Sequence, residues 1–276
     1  MGRKRLKQKW RLSDTAEQKD TIVLITGSNS GIGFEMAMEL VGKGAEVILA
    51  CRQRTRGEEA KKRILQRHAD GRVHLVSLDL ADLESIEMAA AEVVSSFPRL
   101  DVLINNAGVA WGAPLAEFPE AGWDKVMDTN VKGPFFLTQQ LLPLLEAAAT
   151  FEEPARIVNV GSIDGIKTPI FDNFSYGPSK AAIHHLTRVL AAHLIKRNII
   201  VNGIAPGPFP TWMLSTGVGG GGDVDNTDWD AVGKGNPRGR VGQAEDIAGL
   251  AIFLSSKASG FTVGDVITCD GGSVVS

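Results

Sequence analysis

The 276-residue chain contains few cysteines and histidines, the residues that form disulfides and bind many metal ions. Its two cysteines, Cys51 and Cys269, lie far apart and outside any CxxC pair, so they indicate neither a disulfide framework nor a zinc site. The five histidines show no metal-ligand spacing, and we predict no metal site. No apolar run approaches the ~20 residues that are needed to span a bilayer, so we predict no membrane span.

Charge of one sign is also scarce, because the formal net charge is only −3. This balance gives no electrostatic reason to expect nucleic acid or an anionic membrane as a partner. The exception is the N-terminus, where Arg3, Lys4, Arg5, Lys7, Lys9 and Arg11 occur without an acidic residue among them. We predict that residues 1–19 form a solvated, disordered arm, with targeting or polyanion binding as the alternative. No apolar segment follows these charges, so we expect no secretory signal and a cytoplasmic protein.

From residue 20 onward, short apolar runs alternate with longer helical patterns. The predicted strands are Thr21–Thr26, Glu46–Ala50, Val73–Leu78, Asp101–Asn105, Arg156–Val160, Ile199–Ile204 and Asp265–Thr268. Most are apolar at consecutive positions, which is typical of strands covered on both faces of a sheet. The predicted helices are Gly31–Val41, Thr55–His68, Leu83–Ser96, Trp123–Ala149, Pro178–Lys196 and Ala244–Leu254. This alternation predicts one α/β domain over residues 20–276, with a Rossmann-like, doubly wound parallel sheet in the order 3-2-1-4-5-6-7.

The alternation is interrupted between Pro206 and Asn236. This stretch holds the sequence PGPFP, the glycine-rich run Gly217–Gly222 and four acidic residues that end at Asp230. Loops of this length are usually functional or disordered, and this one follows the sixth predicted strand, at the edge where open α/β sheets bind ligands. We predict a substrate lid over about residues 207–236, with an inert insertion as the alternative.

A glycine-rich turn directly follows the first predicted strand, in the sequence TIVLITGSNSGIG. Gly27 suits the tight turn, Gly31 allows the backbone to approach a pyrophosphate, and Gly33 allows the next helix to pack on the strand. Free N–H groups and the dipole at the start of that helix favour a negative charge. The order strand–turn–helix therefore predicts a dinucleotide site.

The end of the second predicted strand indicates which dinucleotide is bound. An acidic residue there would accept hydrogen bonds from the adenosine ribose, whereas this chain has Cys51 followed by Arg52. A guanidinium offers a planar fork of donors that suits a phosphate. We predict that NADP(H) is the preferred cofactor, with Arg52 at its 2′-phosphate, and NAD(H) is the alternative.

The residues that carry chemistry are grouped around the single tyrosine of the chain, Tyr176. Lys180 lies four residues later, so both side chains should share one face near the start of a helix. Carbonyl reduction needs a proton donor, and a nearby ammonium should lower the pKa of the phenol from its usual ~10. Ser162 can polarise the same oxygen with its hydroxyl, and Asn130 can support a water and Lys180.

Together these segments resemble the short-chain dehydrogenase/reductase family. The resemblance rests on TGSNSGIG at Thr26–Gly33, NNAG at Asn105–Gly108, Asn130, Ser162, YGPSK at Tyr176–Lys180, Pro206–Gly207 and DGG at Asp270–Gly272. It implies a catalytic tetrad of Asn130, Ser162, Tyr176 and Lys180, with Tyr176 as acid and base. The implied cofactor contacts are Gly27, Ser30, Gly31, Ile32, Gly33, Arg52, Asp79, Leu80, Asn106, Ala107, Gly108, Tyr176, Lys180, Pro206, Gly207, Phe209 and Thr211. A homodimer or homotetramer, with the helices of Asn130 and Tyr176 paired across an interface, is also implied.

Two parts of the chain resemble different members of that family. The region Trp111–Met213 is similar to bacterial 3-oxoacyl reductases of the rhamnolipid type, whereas the first strand–helix–strand unit is similar to retinol-dehydrogenase-type members. The predicted function is NADPH-dependent reduction of a ketone, with a 3-oxoacyl thioester or a similar apolar carbonyl compound as substrate. The alternatives are a dehydrogenase for a secondary alcohol such as a sugar, steroid or retinoid, and a non-catalytic dinucleotide-sensing protein.

The mouth of the expected substrate pocket should be largely aromatic or apolar. Its predicted residues are Trp111, Ile163, Asp164, Phe171, Phe174, Phe209, Trp212 and Met213, of which Trp111, Asp164, Phe171 and Trp212 are candidate substrate contacts. Any one of them can instead be an ordinary core residue. An apolar mouth favours an aliphatic or ring-shaped substrate over a highly hydroxylated sugar.

Overall fold

The computed structural model describes residues 15–169, 171–217 and 221–276. The basic residues named in the predicted arm, from Arg3 to Arg11, lie outside these ranges, as does the centre of the glycine-rich run, residues 218–220. Among the helices of the described ranges, none combines the length and the hydropathy that a membrane span requires.

Seven parallel strands form a single sheet in the described part of the chain. They are β1 (Ile22–Thr26), β2 (Glu46–Cys51), β3 (Arg72–Ser77), β4 (Val102–Asn105), β5 (Ala155–Val160), β6 (Ile199–Pro206) and β7 (Val266–Cys269). Their order is β3-β2-β1-β4-β5-β6-β7, which confirms the predicted doubly wound sheet. The order reverses between β1 and β4, and the carboxyl ends of these two strands therefore mark the crevice where such sheets bind ligands.

Helices cover both faces of the sheet. They are α1 (Gly31–Gly42), α2 (Arg54–Arg67), α3 (Leu83–Ser96), α4 (Glu120–Met127), α5 (Gly133–Ala148), α6 (Tyr176–Leu194), α7 (Trp212–Gly217), α8 (Trp229–Lys234) and α9 (Ala244–Leu254). Val23 and Ile25 of β1 belong to a buried cluster with α1, α2 and α9, whereas Leu24 belongs to a second cluster with α3, α5 and α6. Side chains of a strand alternate between the two faces, which is why these strands are apolar at consecutive positions.

The helix predicted over Trp123–Ala149 is interrupted, which corrects the sequence prediction. α4 ends at Met127, and a π-helical turn over Asp128–Lys132 leads into α5. A π turn widens the helix locally and changes the direction of the side chains around it. Asn130 lies in this turn and is buried. The position of this predicted catalytic residue is therefore set by a local departure from the α-helix.

The segment predicted as a lid is partly helical, because it contains α7 and α8. Val224 and Thr227, which precede α8, are hydrogen-bonded to residues of the two helices. The indole Nε1 of Trp229 donates to the carbonyl of Val224 at 2.8 Å, and the hydroxyls of Ser215 and Thr227 lie 2.6 Å apart. Closure of this segment over a ligand remains a prediction.

The substitution Leu103→Ala tests how strongly the two-faced core holds the fold. Leu103 of β4 is fully buried in the second cluster. We expect the substitution to lower the free energy of unfolding by about 2–5 kcal/mol, because lost apolar contacts and a residual cavity both cost stability. Urea unfolding followed by circular dichroism measures the change. Met88→Ala on the exposed face of α3 is the control and should change the value by less than about 0.5 kcal/mol; equal losses in both variants would contradict the assignment.

Candidate active site

The turn after β1 adopts a backbone conformation that requires glycine. Gly27 and Gly31 have φ angles of 64° and 56°, in the left-handed region that glycine enters at little cost. A Cβ atom on Gly27 would lie 2.8 Å from the Cα of Ala107, so a side chain there would push β1 and β4 apart. Thr211 lies beside the same turn, with its Cγ2 3.3 Å from the Cβ position of Gly31. The structure thus brings together the predicted pyrophosphate turn and Thr211, one of the implied cofactor contacts.

The start of α1 is suited to an anion. Ser30 precedes the helix and makes no side-chain cap hydrogen bond, and the first turn, which includes Ile32, contains no acidic residue. Backbone N–H groups and the dipole at such a helix start attract negative charge. Pro206 and Gly207 lie at the carboxyl end of β6, where the Gly207 N–H donates to the Cys269 carbonyl at 3.0 Å.

Asn106 joins the turn to the end of β4. Its Nδ2 donates to the Thr26 carbonyl at 2.8 Å, and its backbone N–H donates to the Thr26 hydroxyl at 2.9 Å. A Cβ atom on Gly33 would overlap with this Nδ2, so the glycine makes room for the amide. Within the described residues, the Oδ1 of Asn106 is buried and has no hydrogen-bond partner. An unpartnered buried acceptor of this kind suits a donor group of a bound ligand.

A groove runs from the turn to the ends of β2 and β3. Its walls include six of the predicted cofactor contacts, Gly27, Arg52, Asp79, Leu80, Ala107 and Gly108. Asn29, Val109 and Thr129 also line it, although the sequence analysis did not predict them as contacts. Each of these three is a direct neighbour of a predicted residue and has no signal of its own. Arg56, in the first turn of α2, adds a second guanidinium to the groove.

Cys51 occupies the position where an acidic residue would favour NAD. Its side chain is buried at the end of β2, and its Sγ lies 3.8 Å from the Oγ of Ser28 in the turn. Burial raises the pKa of the Cys51 thiol, so this group is neutral at neutral pH. Arg52 is exposed at the rim of the groove. This end of the groove therefore carries positive charge without a neighbouring acid at position 51.

Lys180 is buried at the centre of the predicted catalytic group. Its Nζ donates to the Val160 carbonyl at 3.0 Å and lies 5.5 Å from the centre of the Tyr176 ring. This Nζ lies 3.2 Å from the Cβ position of Gly108, and the Oδ1 of Asn130 lies 3.3 Å from the same point. Tyr176 is the first residue of α6, so Lys180 follows one turn later on the same face. Asn130, Tyr176 and Lys180 are therefore brought together beside the groove.

Asn130 fastens the loop after β4 to α6. Its Oδ1 accepts a hydrogen bond from the Val109 N–H, and its Nδ2 donates to the Val109 carbonyl, both at 2.9 Å. Nδ2 also donates to the Ser179 hydroxyl at 3.0 Å. Both the oxygen and the nitrogen of the amide are thus hydrogen-bonded, so the side chain links the loop after β4 to α6. Its predicted support of a water and of Lys180 remains a prediction.

Burial controls the protonation of the predicted acid. It raises the pKa of Tyr176 to about 12; a hydrogen bond with the Ser162 side chain opposes this rise, and the negative charge of Asp164 adds to it. Burial also lowers the pKa of Lys180 to about 8, and Asp164 opposes that fall. The prediction of a lowered pKa for the phenol is therefore wrong, because burial disfavours the charged phenolate. Tyr176 holds its proton at neutral pH.

Three of the predicted substrate contacts and mouth residues lie at or near the carboxyl edge of the sheet. The N–H of Asp164 donates to the Ser162 hydroxyl at 3.1 Å, and burial raises the pKa of the Asp164 carboxyl. The ring of Phe171 lies against the end of α7, 3.7 Å from the Cβ position of Gly217. Trp212, the first residue of α7, is 66% exposed. A carboxyl group thus adjoins the catalytic group, and exposed aromatic rings lie at α7.

Other predicted mouth residues pack against protein. The ring of Trp111 lies against α4 at Gly122. The ring of Phe174 packs edge-to-face on Phe118, with 5.8 Å between the ring centres. Phe209 is only 5% exposed and belongs to the first buried cluster. The prediction that the Phe209 ring lies at the mouth of the pocket is therefore wrong, because this ring completes the core beneath β6 and α9.

The single tyrosine makes these protonation states measurable. Over the pH range in which circular dichroism shows an intact fold, we expect ultraviolet titration to place the pKa of Tyr176 near 12, above the ~10 of a free phenol. Asp164→Asn removes a negative charge near the phenol, so it should lower this pKa. Asp172→Asn is the control, since Asp172 is exposed in the loop that precedes α6. A pKa at the free value, or one that Asp164→Asn leaves unchanged, would contradict the assignment.

Comparisons with known proteins agree with this geometry. The family model described as enoyl-(acyl carrier protein) reductase matches residues 27–274. The rhamnolipids biosynthesis 3-oxoacyl-[acyl-carrier-protein] reductase of Pseudomonas aeruginosa is 39% identical over 251 residues, which are 91% of this chain and 95% of that protein. The gluconate 5-dehydrogenase of Gluconobacter oxydans is 35% identical, over 92% of this chain and 94% of that protein. The resemblance to rhamnolipid-type 3-oxoacyl reductases is thereby confirmed.

The solved structures include a similar fold with a bound dinucleotide. The Pseudomonas aeruginosa RhlG/NADP active-site complex superimposes with a TM-score of 0.85 at 38% identity, and the match covers 93% of this chain and 97% of that chain. The chain is thus an oxidoreductase that acts on CH–OH or carbonyl groups. The family model matches nearly the whole chain, and the sheet order and the turn after β1 agree with the resemblance found in the sequence. The chain therefore belongs to the short-chain dehydrogenase/reductase family.

Proposed function

We propose that this oxidoreductase reduces a ketone with NADPH, and that its substrate is a 3-oxoacyl thioester or a similar apolar carbonyl compound. One juxtaposition carries the proposal: the buried Lys180, beside the Tyr176 ring, adjoins Gly108, which lines the same groove as Arg52 and Arg56. The proposed proton donor, Tyr176, therefore lies beside the groove that carries the two guanidinium groups. Assembly as a homodimer or homotetramer and a cytoplasmic location remain predictions from the sequence.

The residues around the groove fit NADPH. The turn at Gly27 and the start of α1 would hold the pyrophosphate, while Arg52 and Arg56 would hold the 2′-phosphate through charge-assisted hydrogen bonds. The unpartnered Oδ1 of Asn106 and the side chain of Thr211 would meet the remainder of the cofactor. When bound, NADPH supplies the hydride. The similar Pseudomonas aeruginosa structure is an NADP complex, which supports this choice over NAD.

Tyr176 supplies the proton in the proposed reaction. The phenol is protonated at neutral pH, so it can donate to a carbonyl oxygen that gains negative charge. Ser162, whose side chain bonds with the phenol, would hold the same oxygen in place. The ammonium of Lys180 would stabilise the phenolate that proton transfer leaves behind, because opposite charges attract more strongly away from water. These protonation states are the ones that reduction of a carbonyl requires.

A dehydrogenase for a hydroxylated substrate is the second candidate. The Asp164 carboxyl is close enough to Tyr176 to influence its pKa, and a carboxylate accepts hydrogen bonds from sugar hydroxyls. The Gluconobacter oxydans relative is named a gluconate 5-dehydrogenase. The relative named a 3-oxoacyl reductase is more similar, at 39% against 35% identity, and this supports the thioester. A non-catalytic sensor is set aside, because the relatives compared are named as enzymes.

A substrate panel separates the two candidates. The purified protein would be assayed with 3-oxoacyl thioesters, simple aliphatic ketones and keto sugar acids, each with NADPH and with NADH, by the absorbance of the reduced nicotinamide. We expect the highest kcat/KM with NADPH and a 3-oxoacyl thioester or an aliphatic ketone. The highest value with a keto sugar acid would overturn the proposed substrate and establish the second candidate.

The substitution Tyr176→Phe tests the proton donor. We expect kcat to fall by roughly 10²–10⁴-fold, the range for a lost general acid or base. The dissociation constant for NADPH, measured by fluorescence, should change little, because the ring remains. Lys180→Ala should instead weaken NADPH binding and turnover together. Near-normal turnover in Tyr176→Phe would remove the phenol from the mechanism.

The substitution Arg52→Ala tests cofactor choice. A charge-assisted hydrogen bond contributes roughly 1.5–3 kcal/mol, so KM for NADPH should rise about 10- to 150-fold. Arg52 is exposed and salt screens its charge, so we expect the lower end of that range. KM for NADH should hardly change. Arg54→Ala is the matched control, because Arg54 lines a different cavity and its guanidinium lies 3.8 Å from the Glu58 carboxylate. Equal effects of Arg52→Ala on both cofactors would contradict the assignment.

A further inference from the structure

One buried titratable group beside the site has no part in the proton transfer proposed above, namely His184 of α6. It lies one helical turn after Lys180 and two after Tyr176, so the three side chains follow one face of the helix. Only 5% of His184 is exposed. Its Nε2 accepts a hydrogen bond from the backbone N–H of Ser162 at 3.4 Å. The imidazole therefore supports the residue whose side chain bonds with the phenol.

The backbone beside the imidazole is shaped around it. A Cβ atom on Gly161 would overlap with the Nε2 of His184, so the glycine leaves the space that the ring fills. The N–H of Gly161 donates to the Ile204 carbonyl of β6 at 2.7 Å. The chain that leads from β5 to Ser162 is thus held between β6 and α6. A shift of the ring would be transmitted to Ser162 through a single peptide.

The contact requires a neutral ring, because Nε2 acts as an acceptor. Burial first, and then the positive charges of Lys180 and Arg188, lower the pKa of His184 to about 4. These two cations lie one helical turn before and one turn after the ring. A neutral imidazole whose Nε2 accepts carries its proton on Nδ1. His184 is therefore a fixed acceptor across the neutral pH range and carries no charge next to Lys180.

We propose that His184 is a positioning residue for the reaction, and that it acts through the backbone of Ser162. The ring holds the Gly161–Ser162 peptide, so that the Ser162 hydroxyl, which also accepts from the Asp164 N–H at 3.1 Å, stays aligned with Tyr176. The inference rests on the proposed role of Tyr176 and Ser162 in ketone reduction. Displacing a reacting group by ~1 Å is enough to lower a rate about 10²-fold.

Substitutions that separate volume from hydrogen bonding test the proposal. His184→Leu fills much of the space of the ring and offers no acceptor, so kcat should fall roughly 10- to 100-fold, while the dissociation constant for NADPH is unchanged. His184→Gln places an amide oxygen near the position of Nε2, so it should restore most of the lost rate. His185→Leu is the matched control: His185 is exposed on the same helix, and this variant should keep the wild-type kcat.

A double-mutant cycle separates positioning from a general loss of structure. If His184 acts through Ser162, then His184→Leu should cost little further kcat once Ser162→Ala is present. A purely structural role would lower kcat by the same factor in both backgrounds. The same assay contains the test of the proposed function, because a wild type that reduces no ketone, or an undiminished Ser162→Ala, would count against that function rather than against His184.

Circular dichroism and thermal unfolding establish that each variant is folded. The inference is overturned if folded His184→Leu keeps the wild-type kcat, if the loss is equal in both backgrounds, or if His184→Gln restores nothing. Should His184→Leu not fold, His184→Asn takes its place with the same expectations, since its shorter amide does not reach the Ser162 N–H. Gly161→Ala is an independent arm: it displaces the ring without removing it, and it should lower kcat with little effect in the Ser162→Ala background.

Discussion

The site depends on one buried contact between the ends of two parallel strands. The hydroxyl of Thr26, at the end of β1, accepts hydrogen bonds from the backbone N–H groups of Asn106 and Ala107, each at 2.9 Å. β1 and β4 are the neighbours between which the strand order reverses, so this is where the sheet opens a crevice. The contact joins the turn at Gly27 to the chain that continues to Gly108. It thereby fixes the proposed cofactor groove relative to the proposed catalytic group.

One face of α6, beside this contact, carries three buried titratable groups whose charged forms are disfavoured by burial. Burial raises the pKa of Tyr176 and lowers the pKa of Lys180 and of His184, because each charged form loses its hydration. The phenol keeps its proton, and the imidazole remains neutral. Lys180 is then the one cation among the three at neutral pH, and its Nζ is bonded to the Val160 carbonyl. A single fixed positive charge where negative charge develops suits the electrostatics of carbonyl reduction.

Much of this arrangement could be predicted from the sequence, but not the features that depend on tertiary packing. The strands were predicted to within two residues, because consecutive apolar positions are a local signal. The π turn at Asn130 has no such local signal, and its side chain bonds to Val109 and Ser179, which lie elsewhere in the chain. Likewise, the spacing of Tyr176 and Lys180 predicted their proximity but not the balance between burial and charge.

The sequence by itself determined the fold class, the glycine turn and the pairing of Tyr176 with Lys180, because each rests on residue types at short, regular spacings. Only the tertiary structure decided that Phe209 belongs to the core and that His184 supports Ser162. It also decided that the pKa of the phenol is raised and not lowered. These outcomes depend on distances between residues far apart in the chain and on how completely water is excluded. Neither quantity can be predicted from the local pattern of residue types.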